Sequence, residues 1–392
     1  MKTLHQLPLL DPESGDGFHS VKLKAEQGAA SHWSVKSHTL RGGLQEGVQV
    51  VEIHNGKLHF AVLPTRGMGI WKGTFGGVSL GWDSPVKDPV NPGHINLEER
   101  GGLGWLKGFN EWFVRCGLNS MGAPGIDTVT DYSGNAFDVT LTLHGKIANI
   151  PARSVSLEIN EKGIIVRGEV DESMMFGPAL RLSTEIRTDF GSGALTIKDT
   201  VTNLGQNPQE HEMLYHINYG GTLLEKGSRI HAPFKQVAPR DPRSAEGIET
   251  FDRYGAPQAG FVEQAYLYEL VGKRGSGETK VMLRNASGNQ ASVLSYSLKD
   301  FPCFTQWKNT AARADGYVTG LEPGTNYPNA RRFEREKGRV LTLKGGESRT
   351  TEITIEALDT KKAVNEAVAE IRKLQKAAKG EVHANPLGRF SG

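Results

Sequence analysis

The sequence predicts an all-β protein, a sandwich or barrel of antiparallel strands. Three observations carry the prediction. Short runs that alternate apolar and polar residues follow one another along most of the chain. Glycine is abundant, 48 residues of 392, and supplies tight turns between such runs. From run to run no helical period intervenes, as a βαβ fold would require.

Taken in order, VQVVEIHNGKLHFAVLP from Val48 reads as a hairpin turning at Asn55-Gly56, the strongest short hairpin signal. FDVTLTLHGKIANIPARSVSLEI continues the pattern, and IIVRGEVDES, RLSTEIRTDF and LTIKDTVTNLG extend it. EMLYHINYG, QAYLYEL, TKVMLRNA and ASVLSYSL follow, then YVTGLEP, GRVLTLKGGES and TTEITIEAL. Fixed-period repeats, the mark of a propeller, are missing. Residues 85–125 break the alternation and are rich in Gly, Trp and Pro, which predicts a long loop lining a site. Residues 238–260 predict a second long loop able to close over it. From Asp359 the pattern changes to a helix: Val364, Ala367, Val368, Ile371, Leu374 and Ala378 recur at steps of three and four. Asp359 or Thr360 caps its start and Gly380 ends it, and its polar face reads as a solvated charge run. The expected organisation is an N-terminal extension packed on the sandwich at 1–45, a sandwich domain at 46–358, and a helix and tail at 359–392.

Charge and composition narrow the function. With 46 basic and 44 acidic residues the formal charge is +2, which gives no footprint for nucleic acid or an anionic membrane. No apolar run approaches the roughly 18 residues of a membrane span, and the N-terminus MKTLHQLPLLDPESGDG lacks the pattern of a secretory signal. A cytoplasmic protein is the expectation. The two cysteines, Cys116 and Cys303, sit far apart in apolar settings and read as buried thiols.

Two stretches carry candidate chemistry. HEMLYHINYG, His211 to Gly220, resembles a zinc-protease H-E-x-x-H with one residue too many. On a helix its two histidines would diverge by about 140°. Tyr215, Ile217 and Tyr219 instead favour a strand. Strand alternation then puts Glu212, Leu214, His216 and Asn218 on one face, with Met213, Tyr215, Ile217 and Tyr219 on a core face. In YVTGLEPGTNYP, Glu322 ends a strand just before a Pro-Gly turn, well placed to face a pocket. Upstream, Gln306, Trp307 and Lys308 in FTQWKN offer donors and an aromatic plane, the mixture that binds sugars.

The run DTVTNLGQNPQEHEMLYHINYG, with Asn203, Pro208 and His216, resembles the aldose 1-epimerase (galactose mutarotase-like) superfamily. So does the late Val318-Thr319-Gly320-Leu321-Glu322-Pro323, which follows an aromatic strand. GFNEWFVRCGLNSMGAPG and PTRGMGIW resemble a poorly characterised branch of it. The resemblance covers residues 45–358. It implies a large antiparallel β-sandwich whose concave face holds an acid histidine, His216, and a base glutamate, Glu322. It further implies a substrate arginine, Arg66 or Arg115. Asn119 in the long loop, with Glu212, Asn218, Gln306, Trp307 and Lys308, completes the expected sugar-binding set. The family's second histidine, from an early N-R-I loop, has no counterpart here beyond a loose match to His94.

The implied activity is anomer interconversion of a sugar without a cofactor or metal, with Glu322 removing the anomeric proton and His216 protonating the ring oxygen. Glu212 could hold the His216 imidazole in one tautomer. A keto-sugar isomerase or lyase using the same pair is an alternative, with a metal held by Glu212 and His216 and helped by His231 or His211. So is a sugar-binding sandwich without catalysis. A glycosidase would need a second carboxylate flanking the bond, for which the sequence offers no partner.

Overall fold

The computed structural model describes residues 3–26, 32–130 and 133–392. Two large, mainly antiparallel sheets pack face to face. The first has nine strands, running from the edge strand Thr3–Leu10 through Ser154–Asn160, Gly163–Ser173, Ala179–Asp189, Ala194–Asn203, Ser348–Leu358, Ala291–Ser297 and Glu278–Arg284 to Arg229–His231. The second has fourteen strands, and five of its central ones carry the site. They are labelled in chain order: β1, Phe113–Leu118; β2, Gln209–Tyr219; β3, Gln264–Leu270; β4, Cys303–Asn309; and β5, Val318–Gly324. In space they run β1-β2-β5-β4-β3.

The core between the sheets follows from alternation. Val166, Leu182, Ile197 and Ile353 of the first sheet meet Met213, Tyr215, Ile217 and Tyr219 of β2, all buried. A face left polar on β2 therefore points out of the sandwich. The predicted hairpin is present, pairing Gln49–His54 with Leu58–Leu63. At its turn the Asn55 side-chain oxygen Oδ1 accepts from the Lys57 and Leu58 amides at 3.0 and 2.8 Å, and Gly56 takes a φ of +104°. The Asn55 amide nitrogen donates to Thr188 Oγ1 at 2.6 Å and so ties the turn to the other sheet.

Three expectations need correcting. Residues 85–125 are not one irregular loop: short turns lead into β1, a fully buried central strand. Phe113 to Leu118 is buried on both faces, so it shows no alternation to read. The segment before residue 45 contributes strands to both sheets, with Thr3–Leu10 on Ser154–Asn160 and Ser34–Thr39 on Gln49–His54. The C-terminal helix, capped by Thr360, spans Lys361–Gln375 and stops short of Gly380. At its end the Gln375 side chain exchanges hydrogen bonds with the Phe234 backbone. Val364, Ala367 and Ile371 of this helix pack on Met282, Ala291 and Val293, on the outer face of the nine-stranded sheet. Among the described residues, no helix is long and apolar enough to cross a membrane.

Candidate active site

Strand register builds the site. β2 and β5 are antiparallel, with Ile217 across from Leu321 and Asn218 across from Gly320. That register sets Glu322 across from His216, as adjacent side chains on the outward face. The His216 Nε2 atom lies 3.2 Å from Glu322 Oε1. Both residues are buried, 4% and 2% exposed. The contact is not a hydrogen bond, and Oε1 has no hydrogen-bond partner among the described residues. Two polar groups at contact distance but not aligned on each other are suited to addressing a third molecule together.

Asn218 orients the imidazole. Its side-chain nitrogen donates to the Glu111 and His216 carbonyls, at 3.0 and 3.2 Å, so its oxygen faces His216 Nδ1 at 2.6 Å. Nδ1 therefore carries the hydrogen, and a neutral His216 keeps its lone pair on Nε2, toward Glu322. Burial holds the imidazole well below its ordinary range, and nearby His144 adds to the effect. Burial also pushes the Glu322 carboxyl well up, reinforced by Glu263 and opposed by Arg240. Burial thus works against charge on both members of the pair, the imidazolium and the carboxylate alike.

Aromatic rings enclose the pair. Phe109, Trp307, His144 and Trp105 surround His216, with ring centroids at 5.1, 5.4, 5.5 and 6.2 Å. Trp105 Nε1 is buried without a hydrogen-bond partner among the described residues. His144 Nδ1 lies 3.0 Å from the Met121 carbonyl and donates to it, leaving Nε2 as an acceptor. Burial draws its pKa down to about 4. At the rim Glu263 accepts from Trp307 Nε1 at 2.6 Å and pairs with Arg240 at 3.1 Å. The floor has no side chain at Gly320, which lies between Asn218 and Trp307 across the strands.

Of the ten residues expected from sequence, His216, Glu322, Asn218 and Trp307 converge here, and six do not. Arg115 points into the core, where it forms a bidentate pair with Asp199 at 2.6 and 2.9 Å and donates to Thr184, Gly67 and Met68. Arg66 is buried against Glu111 at 2.9 Å and donates to Asn149 and Gly108. Both guanidiniums are spent on the fold, and Arg66 reaches the site indirectly, through Glu111, whose carbonyl holds Asn218, and through the Gly108 carbonyl beside Phe109. Asn119 accepts from Arg331 and donates to the Glu210 carbonyl, in an ion-pair cluster with Asp127 and Arg335.

Glu212 shares the outward face but lies four residues along β2, where it accepts from Asn326 at 2.7 Å and from the Met121 amide at 3.2 Å. It does not orient His216; Asn218 does. Gln306 and Lys308 fail by alternation, since they flank Trp307 on β4 and face the other way. Gln306 bonds Tyr268, Tyr254 and the Phe251 carbonyl. Lys308 donates to the Thr250 and Arg253 carbonyls at 3.0 and 2.6 Å, and burial lowers its pKa to about 8. The second long loop is thus tied to the inward face of β4, and only its Arg240 reaches the site's rim.

The metal alternative loses its ligands in the same way. His211 turns from His216 and bonds the Leu118 carbonyl, while His231 is on the other sheet beside Arg284. Among the described residues no group of three His, Cys, Asp or Glu side chains is placed to hold a metal. His94, the loose match for a second histidine, lies in a short turn that caps on Asn91. His144 stands beside His216 instead. Its surroundings, LTLHGKIANIP, carry no signal that singles it out.

Comparison with known proteins agrees with this fold. A Klebsiella pneumoniae protein provisionally named an aldose 1-epimerase superimposes with a TM-score of 0.90 at 33% identity, over 98% of this chain and 99% of that one. A galactose mutarotase-like protein from Clostridium acetobutylicum gives 0.56 at 15% identity, over 83% of this chain and 98% of that one. A galactose 1-epimerase from Lactobacillus acidophilus gives 0.54 at 8% identity, over 83% and 99%. The last two share the fold alone. No curated protein matches the chain. The family model described as a domain of unknown function, DUF4432, matches residues 45–357, and the chain belongs to that family.

Proposed function

We propose that the protein interconverts the anomers of an aldose by acid–base catalysis at His216 and Glu322, without a cofactor. The observation that carries the reading is the contact of one buried acid with one buried base, 3.2 Å apart and unaligned with each other. The hydroxyl and ring oxygens of a cyclic hemiacetal share one carbon, so two groups in contact can address both. The enclosing tryptophans suit the CH-rich faces of a sugar ring. The name carried by the Klebsiella relative points the same way.

Because burial works against charge on both groups, we assign the opening half-reaction in the reverse of the sense expected from sequence. His216 Nε2 removes the proton of the anomeric hydroxyl while the Glu322 carboxylic acid protonates the ring oxygen. The bond from C1 to the ring oxygen breaks and a carbonyl forms at C1. After rotation about C1–C2 the hydroxyl attacks from the other side. Glu322, now a carboxylate, takes its proton, and the His216 imidazolium returns one to O1. Glu322 is the base and His216 the acid only in this closing step, at the ring oxygen and at O1, so the atoms each group serves are exchanged from the sequence expectation, and both groups end as they began.

Anomer exchange followed by NMR across a panel of aldoses tests this. Glu322→Gln and His216→Ala should each slow exchange by about 10²–10⁴-fold. Parental rates in both variants would remove the pair from the chemistry. Sugar binding with no exchange by the parent protein would leave a sugar-binding sandwich.

A further inference from the structure

A second polar feature lies far from this pair, on the outside of the opposite sheet. The C-terminal helix and the sheet edge formed by Arg229–His231 and Glu278–Arg284 enclose an open cavity of about 700 Å³. Lys361, Asn365, Arg372 and Lys376 recur along the helix at the spacing of one face, so a single stripe turns toward the cavity, with Lys373 beside it. Arg284 and His231 line it from the sheet, and Ser287 and Gly288 from the adjoining turn. Five of the lining residues are lysines or arginines, and none is Asp or Glu.

This imbalance is unusual on a chain of almost neutral charge. Elsewhere cations and carboxylates interleave, and the nearby helix carboxylate of Glu370 pairs with Lys280 outside the cavity. Arg284 illustrates it best. Its Nε donates to His231 Nε2 at 3.0 Å, so a neutral imidazole stands where an arginine ordinarily finds a carboxylate. Burial lowers the pKa of His231 to about 4, and Arg284, Arg372 and Arg229 add to it. Arg229 has one carboxylate, Asp252, at 3.7 Å. Basic residues late in a helix complement its dipole, which would account for Arg372, Lys373 and Lys376. It does not account for Lys361 in the first turn, where a cation opposes the dipole, nor for Arg284 across the cavity.

We propose that this cavity binds the phosphate groups of a small phosphorylated metabolite. Converging arginines supply planar forks for phosphate oxygens and the lysines supply mobile point charges. The Ser287 hydroxyl, which donates to Asn289 Oδ1 in this structure, can turn to a phosphate oxygen. The volume suits a molecule the size of a sugar phosphate or a nucleotide rather than a bare ion. The site is separate from the His216–Glu322 pair, being on the outer face of the other sheet, and it stands whether or not that pair interconverts anomers.

Isothermal titration of the full chain with inorganic pyrophosphate tests the proposal. One equivalent should bind, and the surface double variant Arg372→Glu/Lys376→Glu should bind at least about tenfold more weakly. Neither position supplies the helix's buried face, so the melting temperature without ligand checks that folding is kept. The exposed substitution Lys57→Glu, remote from the cavity, should leave binding unchanged. Parallel titrations with a hexose phosphate and a nucleoside diphosphate distinguish the two sources of phosphate, the tighter one naming the class. Absence of saturable binding to all three probes would overturn the proposal, as would equal affinities in parent and double variant.

Discussion

Gly320 gives the sharpest test of the pair's geometry. A Cβ built on it would lie 2.5 Å from Glu322 Oε1, 2.8 Å from His216 Cε1 and 3.2 Å from His216 Nδ1. The first distance falls about 0.9 Å short of the 3.4 Å at which ordinary contact begins. In Gly320→Ala the carboxyl and the ring must therefore separate by something near 1 Å in all. The backbone itself accepts alanine, since Gly320 is not among the positive-φ residues. Overpacking should cost about 1–3 kcal/mol of stability, tolerable in a core of this size. Displacement of about 1 Å at reacting groups should cost on the order of 10²-fold in anomer exchange. The assay is exchange by NMR beside a urea unfolding curve. In a Glu322→Gln background the same alanine should add little, because the two changes damage one device. A folded Gly320→Ala protein that exchanges anomers within about twofold of the parent would refute the reasoning.

Three further outcomes are expected. Arg115→Ala should lower unfolding free energy by about 3–5 kcal/mol in urea titration, because it leaves Asp199 buried with its main cation gone. A loss below about 1 kcal/mol would mean that the pair is not structural. Glu212 has a carboxyl that burial raises to about 8, so the folded state holds a proton that the unfolded chain releases above its ordinary range. Its contribution to stability is therefore whole at low pH and declines as pH rises toward 8, by up to about 1.4 kcal/mol per unit. Glu212→Gln should flatten that decline in unfolding curves measured at several pH values, and an unchanged slope would contradict the shift. Cys116 and Cys303 are buried with thiols pushed up by burial, Cys303 to about 12. Neither should react with a thiol reagent in the native protein, and both should react in urea.

What was legible in the sequence was what alternation encodes. HEMLYHINYG sorts into a core face and a polar face because Met213, Tyr215, Ile217 and Tyr219 recur at every second residue, with His211 at the strand's start the one imidazole of that parity. Glu322 stands out in sequence for a Pro-Gly turn signal that the structure overturns, because β5 runs on through Pro323 and Gly324, both paired with β4. The same rule, applied to FTQWKN, keeps Trp307 and discards Gln306 and Lys308, whose donors suit a sugar by composition but not by parity. Arg115 was beyond reach. Its partner Asp199 lies 84 residues away, and a strand buried on both faces offers no polarity from which to read direction. Arg66, likewise, looks like a substrate clamp until Glu111 is seen beside it. His144 enters the site from a turn with φ of +58°, and its role is made wholly by tertiary packing against Trp105 and His216.

The strands before residue 45 bear on how this family is delimited. The family pattern begins at residue 45, yet Thr3–Leu10 completes the rim of one sheet and Ser34–Thr39 covers Gln49–His54 in the other. A chain trimmed to the recognised pattern would leave the backbone groups of Ser154–Asn160 and Gln49–His54 unpaired along two long rims. Exposed rims of that kind recruit strands from neighbouring molecules. The stretch matched by the family pattern is therefore smaller than the stretch that pairs these sheet strands. A relative expressed from the pattern's first residue risks precipitation for a reason unrelated to its chemistry.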